Sequence, residues 1–475
     1  MESSVHTIDP TVCRLGPWRF TLSRLQYCTF TLVGVALLWP WNCFLSASAY
    51  YGERFFHTQS LVKIYSLTMM SVSTIVSTTY SYYLSQAQRG VDYKKRIHVG
   101  LVATIVVFVL MAISCVSDLF IRMDDYVFFT FLMLMVLVSA MATCLAQNGT
   151  MATVNVLGQI YTNAVMVGQA IAGTLPSVAL IISILIVGVK ERDVTAKVED
   201  DDYYVDKNLG VFIYYITASL VSVASIALLT LTGYLKSEAQ YKALNQLLEE
   251  GQSSLSDDVC DVVEDDNTLG DTTKTVGEDR AGVLTEPLPP TEAYVPFSVM
   301  WGKLKLIVMT IFLTFGVTLI FPVFASIVES VHTDSPSPFF HKSIYIPFIY
   351  LIWNLGDLLG RIFCGATNSY ILVKNPNHLI IYSLLRFLYI PLFMTCNIHP
   401  LGLAPFFLSD LWYMFLQFTF GFSNGQLATS CFMVVGDHCD NDDEKKAAGG
   451  FTSVFLSTGL AVGSVLSYLL VLIVN

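Results

Sequence analysis

Residues 346–364 form an apolar stretch of nineteen residues, IPFIYLIWNLGDLLGRIFC, that contains one acid and one base, Asp357 and Arg361. Its length and apolar character predict a membrane-spanning helix. An ionisable group inside such a helix is energetically costly, so it is expected to face a bundle interior or a water-filled cavity. A spacing of four places the two charged residues on one helical face. Tyr350 and Asn354 extend that face into a polar stripe, which suggests a path for a solute.

The composition agrees with a membrane protein. Hydrophobic residues make up 54% of the chain and charged residues 13%, about half the charged fraction of an ordinary soluble domain. The net charge of −11 arises mainly from two hydrophilic loops, so it indicates no cationic partner. The ten cysteines show neither a CxxC pair nor regular spacing, which argues against a disulfide framework or a zinc site.

Eleven spanning helices are predicted from the apolar stretches. They lie at residues 27–48, 61–85, 97–120, 125–153, 161–189, 209–235, 302–330, 344–367, 378–397, 404–435 and 447–474. The predicted fold is therefore an all-α polytopic membrane protein. Its divisions are an N-terminal segment, 1–26, helices 1–6, 27–235, an acidic loop predicted to be disordered, 236–297, and helices 7–11, 298–475.

The loops carry an unequal distribution of Lys and Arg. Fourteen lie on the side of the N-terminus and eight on the opposite side. Because cytoplasmic loops carry an excess of positive residues, the N-terminus and the acidic loop are predicted to be cytoplasmic. Positive residues before the first apolar run would also fit a signal peptide, but the length of that run favours an uncleaved first span.

The Asp357–Arg361 pair has two interpretations. In the functional one, Arg361 donates hydrogen bonds to substrate oxygens, a task that suits its planar fork, while Asp357 orients it and accepts from hydroxyls. In the structural one, the ion pair locks two helices together, or it lies near the membrane interface at the cytoplasmic end of the helix. The extended polar stripe favours the functional interpretation.

The first span carries Leu38, Trp41, Asn42 and Leu45 on one face. Trp41 can stack on a flat ring, and Asn42 needs a polar partner inside the membrane. The alternative for Trp41 is a position at the headgroup level, as in the aromatic belts of membrane proteins.

Polar and small residues mark two other kinds of position. Gln147 and Asn148 lie in the fourth span, where an amide that both donates and accepts suits the edge of a nucleobase; the alternative is an interhelical hydrogen bond. Small residues in the fifth and last spans are predicted to let helices approach closely. These helix-packing positions are Gly168, Gly173, Gly459 and Gly463.

No pattern favours catalysis. The eight histidines form no HExxH motif, and no glycine-rich loop has the setting of a phosphate cradle. No basic patch with interleaved aromatic residues indicates nucleic acid. We therefore predict a protein that is not an enzyme, with no catalytic residue, no metal and no cofactor. The residues alone indicate movement of a neutral or zwitterionic solute.

The chain resembles the equilibrative nucleoside transporter family along nearly its whole length. The motifs that carry the resemblance are PWN at 40–42, GQxxAG at 168–173, DxxGR at 357–361, FSNG at 422–425 and AGG…GLAxGS at 448–464. Their order, and their placement on separate spans, make the set specific. The stretches LLWPWNCFLSAS and DNDDEKKAAGGFTSVFLSTGLAVGS look closest to fungal intracellular members, which reside in the vacuolar membrane.

The resemblance implies a major-facilitator-like fold with bundles of six and five helices and alternating access between them. It implies facilitative transport of purine and pyrimidine nucleosides, such as adenosine and uridine, across the vacuolar or another intracellular membrane. Membrane lipid is the other implied partner, and no obligate protein partner is predicted.

The resemblance also implies a set of cavity-lining positions. Gln147 matches the amide that reads the base, and Asp357 and Arg361 match the pair near the ribose. The full set of matched positions is Leu38, Trp41, Gln147, Asn354, Asp357, Arg361 and Leu460.

Some positions depart from the family pattern. Thr143 stands where animal plasma-membrane members have glycine, and Ser71 and Thr74 replace large apolar residues in the second span. A more polar wall implies weaker sensitivity to bulky aromatic inhibitors and a broader substrate range.

Two alternatives remain at the level of the sequence. One is a proton-coupled nucleoside transporter in which Asp357 titrates, although Arg361 one turn away favours the ionised carboxylate. The other is a membrane receptor that binds a nucleoside without moving it and signals through the acidic loop.

Overall fold

The computed structural model describes residues 10–15, 18–187, 207–260, 294–333, 337–366, 370–398 and 409–474. Two short antiparallel strands, β1 (Thr11–Leu15) and β2 (Trp18–Thr21), precede the helices. The α-helices in chain order are α1 (Leu22–Ser46), α2 (Ser48–Arg54), α3 (Gln59–Gln86), α4 (Tyr93–Ser114), α5 (Asp118–Ile121), α6 (Asp125–Leu157), α7 (Gln159–Val187), α8 (Leu209–Cys260), α9 (Phe297–Thr318), α10 (Ile320–Ile327), α11 (Lys342–Cys364), α12 (Pro376–Leu385), α13 (Tyr389–Phe393), α14 (Asp410–Val434) and α15 (Asp442–Val474).

The helical prediction is confirmed in its coarse form. Among the described residues, eight helices are long and apolar enough to cross a membrane. Every predicted span overlaps a helix, and three spans are broken. Span 97–120 corresponds to α4 and α5, 302–330 to α9 and α10, and 378–397 to α12, a 3-10 turn (Arg386–Leu388) and α13. Pro322 explains the break between α9 and α10. It has no N–H to donate to the carbonyl of Thr318, and the helix is interrupted at Leu319.

Helix α8 is longer than the sixth predicted span. It begins at Leu209 as predicted but continues to Cys260, beyond the expected end at 235. An α-helix of 52 residues is about 78 Å long, whereas the hydrocarbon core of a bilayer is about 30 Å thick. Its last part therefore projects from the membrane as a helix. The predicted acidic loop otherwise falls mostly on residues 261–293, which lie outside the described residues.

The bundle has two halves, α1–α8 and α9–α15. We call the end at which α1 begins the Leu22 end and the opposite end the Ser46 end. At the Leu22 end, one continuous buried core contains residues of both halves, including Phe30, Met151 and Ala164 from the first and Leu304 and Leu427 from the second.

At the Ser46 end the buried residues of the described chain form two separate cores. One belongs to the first half and includes Phe44, Phe108 and Tyr215. The other belongs to the second half and includes Phe324 and Phe393. The two halves are therefore joined at one end of the bundle and packed independently at the other.

Hydrogen bonds between the halves reinforce the Leu22 end. Val295, just before α9, exchanges two hydrogen bonds with the side-chain amide of Gln88, at 3.0 and 3.2 Å. The Asn155 amide donates to the Lys445 carbonyl at 3.2 Å. These contacts fix the ends of α3 and α6 against the beginnings of α9 and α15.

Candidate functional site

The predicted charged pair is buried near the end of α11, with Arg361 in the last turn of that helix. Arg361 Nε donates to Asp357 Oδ2 at 2.9 Å, and Arg361 Nη2 lies 3.4 Å from Oδ1. The two residues are 6% and 4% exposed. Their spacing of four brings them together as predicted, because both side chains lie on the same face of one helix.

Arg361 also connects the two halves of the bundle. Its Nη1 donates to the carbonyl of Met166 on α7 at 2.9 Å, and the Asn163 amide of α7 donates to the Arg361 carbonyl at 2.8 Å. Tyr27 on α1 donates to the other side of the Asn163 amide at 3.1 Å. Movement of α7 away from α11 would therefore break hydrogen bonds to Arg361.

Asp357 has a further partner that the sequence did not assign. Asn424 Nδ2 donates to Asp357 Oδ1 at 2.7 Å, and Asn424 is 2% exposed. The neighbouring Gly425 permits this contact, because a Cβ there would lie 2.0 Å from the Asp357 carbonyl oxygen. Asn424 belongs to the FSNG motif, and a polar amide within an apolar span was the available signal.

The other two residues of the polar stripe contact two different helices, α7 and α10. The Asn354 amide donates to the Tyr350 carbonyl at 2.8 Å and lies 3.4 Å from the Ser177 hydroxyl of α7. The Tyr350 ring packs edge-on against Phe321, with centroids 4.8 Å apart. Asn354 is thus half-buried where α7 and α11 meet, and Tyr350 is half-buried against α10.

On the predicted face of α1, Leu38, Trp41 and Asn42 are half-buried and Leu45 is exposed. Leu38 and Trp41 pack against the core of the first half. Asn42 finds its polar partner in the Ala172 carbonyl of α7, at 2.9 Å. Trp39 points elsewhere: it is 8% exposed, and its indole N–H donates to another helix. Trp41 is therefore the tryptophan of this pair that keeps part of its ring accessible.

Gln147 lies on α6, half-buried, with its Oε1 3.4 Å from Nε2 of Gln169 on α7. In contrast, Asn148 is 3% exposed and accepts a close hydrogen bond from Arg96. Asn148 is therefore a buried residue with a structural hydrogen bond, whereas the side chain of Gln147 is only partly buried.

The hydrogen bonds of the described residues join Asp357 and Arg361 to α7 and α14. They do not join the pair to Trp41, Gln147 or Leu460, which lie on three other helices. Leu460 is half-buried on α15. These positions stay predictions as parts of one site.

Two further groups of predicted positions are the three that depart from the family pattern and the four packing glycines. Ser71 is exposed and bonds to its own helix, whereas Thr74 and Thr143 are half-buried. At the four predicted packing glycines, a Cβ would meet a neighbouring atom at 1.9 to 3.0 Å. The nearest atoms are Thr31 O for Gly168, Asn354 Oδ1 for Gly173, Phe312 O for Gly459 and Gly316 O for Gly463.

A second buried arginine in the second half of the bundle, Arg386, was missed. It lies just after α12 and is 1% exposed. It donates to the Ser423 hydroxyl at 3.1 Å and to the Thr314 carbonyl at 2.9 Å, and its guanidinium lies 4.6 Å from the centre of the Phe420 ring. Its signal was an arginine inside the predicted span 378–397, which merits the same attention as Arg361.

The described residues contain no group of three or more His, Cys, Asp or Glu side chains that could hold a metal ion. The polar atoms gathered around Asp357 and Arg361 are hydrogen-bond donors and acceptors only.

Comparison with known proteins identifies related sequences. A family model described as nucleoside transporter matches residues 132–472. The chain is 37% identical to the nucleoside transporter FUN26 of Saccharomyces cerevisiae, over 97% of this chain and 86% of that protein. It is 26% identical to human equilibrative nucleoside transporter 1, over 93% of this chain and 95% of that protein.

Solved structures show a similar fold at much lower identity. The proton:xylose symporter XylE, of the major facilitator superfamily, aligns with a TM-score of 0.56 at 9% identity, over 94% of this chain and 88% of that one. The major facilitator transporter FucP in its outward conformation aligns with a TM-score of 0.51 at 11% identity, over 94% and 91%. The predicted major-facilitator-like architecture is therefore confirmed.

Proposed function

Because the chain belongs to the nucleoside transporter family, we propose that it carries purine and pyrimidine nucleosides across a membrane by facilitative transport, down their own gradient. The observation that carries this proposal is the arrangement of the buried cores. The halves share one core at the Leu22 end and have separate cores at the Ser46 end, and Arg361 bonds across the halves to Met166, a residue of the shared core. A carrier that alternates access needs two halves that can separate at either end.

The proposed topology has eleven spans in groups of six and five. The first group comprises α1, α3, α4, α6, α7 and α8; the second comprises α9 with α10, α11, α12 with α13, α14 and α15. The Lys and Arg distribution favours a cytoplasmic N-terminus, so the Leu22 end would face the cytoplasm. The described conformation would then be closed on the cytoplasmic side. Similarity to the yeast protein supports a fungal type of member of the family. We propose the vacuolar membrane as its location.

In the proposed site, each side chain acts through its chemistry. Trp41 stacks on the base, and the Gln147 amide bonds the base edge. Asp357 accepts from ribose hydroxyls, and Arg361 donates to ribose oxygens. Asn354 adds an amide beside them, and the apolar walls are Leu38 and Leu460.

Transport requires more than binding. Both open states must bind the nucleoside and exchange with each other, because tight binding to one state alone moves nothing. The Arg361–Met166 hydrogen bond joins the halves in the described state. A nucleoside oxygen that takes the place of the Met166 carbonyl would compensate Arg361 when α7 and α11 separate.

Proton coupling is the less favoured alternative. Every described hydrogen bond of the Asp357 carboxyl group is one that it accepts, from Arg361 or Asn424, and none is one that it donates, as a proton relay would have to do. We therefore propose that the substrate gradient alone drives transport.

The test is uptake of radiolabelled uridine and adenosine by proteoliposomes, with and without an imposed pH gradient. Saturable uptake that ignores the gradient is expected. Uptake that requires the gradient would replace the facilitative mechanism with proton coupling. Binding without flux would replace transport with a receptor function.

A further inference from the structure

Thr318, the last residue of α9, lies between the two buried arginine sites. Its hydroxyl is 2.6 Å from Asn424 Oδ1 and 3.5 Å from Arg386 Nη2. Asn424 in turn contacts Asp357 at 2.7 Å. A continuous line of polar atoms therefore runs from Arg386 to Asp357 through two uncharged side chains.

The ends of this line determine the direction of its hydrogen bonds. A guanidinium only donates, and a carboxylate without a proton only accepts. Asn424 must therefore present its NH2 to Asp357 and its oxygen to Thr318. The hydroxyl of Thr318 then donates to Asn424 and accepts from Arg386. Every donor in the line points towards Asp357.

A second arrangement is possible with the same atoms. The Thr318 hydroxyl has a single proton, and the Thr314 carbonyl also lies 2.6 Å away. If the hydroxyl turned to Thr314, the amide of Asn424 would rotate and present its oxygen to Asp357. That oxygen needs a donor, so the second arrangement fits only a protonated Asp357.

We propose that Asn424, Thr318 and Arg386 are positioning residues for nucleoside transport, which hold Asp357 as an ionised acceptor oriented towards Arg361. The inference rests on the proposed function, because it explains what keeps Asp357 and Arg361 in the state that binds the ribose. The line lies wholly within the second half of the bundle, so it persists when α7 separates from α11. Asp357 therefore keeps its hydrogen bond from Asn424, while Arg361 exchanges its bond to the Met166 carbonyl for another acceptor.

No other charged group competes for Asp357 among its described contacts. On its own helix, the charged partner of Asp357 is Arg361. The group from α14 is the uncharged Asn424 amide. The groups from α7 contact Arg361 and are also uncharged: the Met166 carbonyl and the Asn163 amide. Arg386 is the second cation. The titratable side chains beside these two arginines are Tyr382, Tyr389 and Cys364.

The test replaces the hydroxyl of Thr318 without changing its shape. Thr318→Val leaves the Asn424 oxygen without its donor, which removes the preference for the first arrangement. Uridine uptake is measured in proteoliposomes with equal pH on both sides, in neutral and in acidic buffer. We expect uptake by this variant to fall about fivefold in acidic buffer, the effect of about one hydrogen bond. Wild-type uptake is expected to be the same in both buffers.

Two control variants separate the hydroxyl from packing. Thr318→Ser keeps the donor and should retain the wild-type pH profile. Thr310→Val removes a buried hydroxyl two turns earlier on α9, one that bonds only to its own helix at Leu306. It should leave the profile unchanged.

Asn424→Asp tests the same line of polar atoms, and its uptake is expected to change with pH in the opposite direction to that of Thr318→Val. Two carboxyl groups 2.7 Å apart would share one proton at neutral pH, and that proton would serve as the missing donor. Uptake by this variant should therefore fall as the pH is raised, whereas uptake by Thr318→Val should fall as the pH is lowered. The opposed signs cannot arise from loss of folding.

The results that would overturn the inference are distinct from failure of the proposed function. Saturable wild-type uptake together with a flat pH profile for both Thr318→Val and Asn424→Asp would show that the line does not act on Asp357. Absence of wild-type uptake in every buffer would instead overturn the transport function, and the positioning role with it.

Discussion

The two buried arginines of the second half differ in what they contact. Arg361 bonds a carboxylate on its own helix and a carbonyl of the first half, at 2.9 Å each. Arg386 bonds hydroxyl and carbonyl oxygens of α9 and α14, all within its own half. Both are almost inaccessible to solvent, yet only Arg361 crosses the boundary between the halves.

This difference gives the two residues different roles. The bonds of Arg361 change when the halves move, whereas those of Arg386 stabilise the second half, which moves as one body. Separation of the halves must break the Arg361–Met166 bond, and a substrate can replace it. The same movement leaves every described hydrogen bond of Arg386 intact. Burial of a charge therefore does not by itself identify a substrate contact; the location of its partners does.

The largest effect is expected from Arg361→Ala. This change leaves the buried carboxylate of Asp357 without its cation and removes the proposed ribose donor, so uptake should fall at least about a hundredfold. Uptake is measured at equal amounts of reconstituted protein. Arg361→Lys, which keeps the charge but not the planar fork, should be intermediate. Near-normal uptake by Arg361→Ala would remove this residue from the site.

Arg386→Met should affect stability more than transport. It removes a cation whose partners remain within one half, so we expect a lower melting temperature of the detergent-solubilised protein, equivalent to about 2 kcal/mol. Uptake per folded molecule in neutral buffer should fall by about threefold at most. A loss of uptake as large as that of Arg361→Ala, at unchanged stability, would contradict the contrast between the two arginines.

Trp41→Ala should weaken substrate binding. Stacking of a base on an aromatic ring contributes about 1–3 kcal/mol, so KM for uridine and adenosine should rise about tenfold. Trp41→Phe keeps an aromatic face and should change KM much less. An unchanged KM for Trp41→Ala would favour the interpretation of this tryptophan as a headgroup-level residue.

The smallest effect is expected from deletion of residues 261–290, between α8 and α9. If the protein is a carrier, uptake should stay within about twofold, because long connecting segments add little free energy. If the acidic segment is a signalling part of a receptor, deletion should abolish its output. A strong loss of uptake with normal membrane insertion would show that the segment takes part in transport.

Much of the helical architecture could be predicted from apolar length alone, because a membrane restricts the chain to helices of a known minimum length. The end of α8 could not, since its polar continuation has no such restriction. The Asp357–Arg361 contact was predictable because both residues share one helix. The Asn424 contact was not, because it depends on how closely α14 approaches α11 at Gly425.

The missed arginine teaches a related point. Arg386 was visible as an ionisable residue in an apolar span, but its oxygen partners come from α9 and α14. Sequence spacing places residues on one helix face, whereas the partners of Arg386 depend on tertiary packing. For the same reason, the joint lining of one cavity by Trp41, Gln147 and Leu460 stays a prediction.

The most direct test of the account is counterflow in proteoliposomes preloaded with unlabelled uridine. A carrier that alternates access should take up external labelled uridine to a transient excess over equilibrium, and Arg361→Ala should abolish that excess. Folded wild-type protein that binds uridine but gives no labelled influx would contradict transport by two halves exchanging around Arg361.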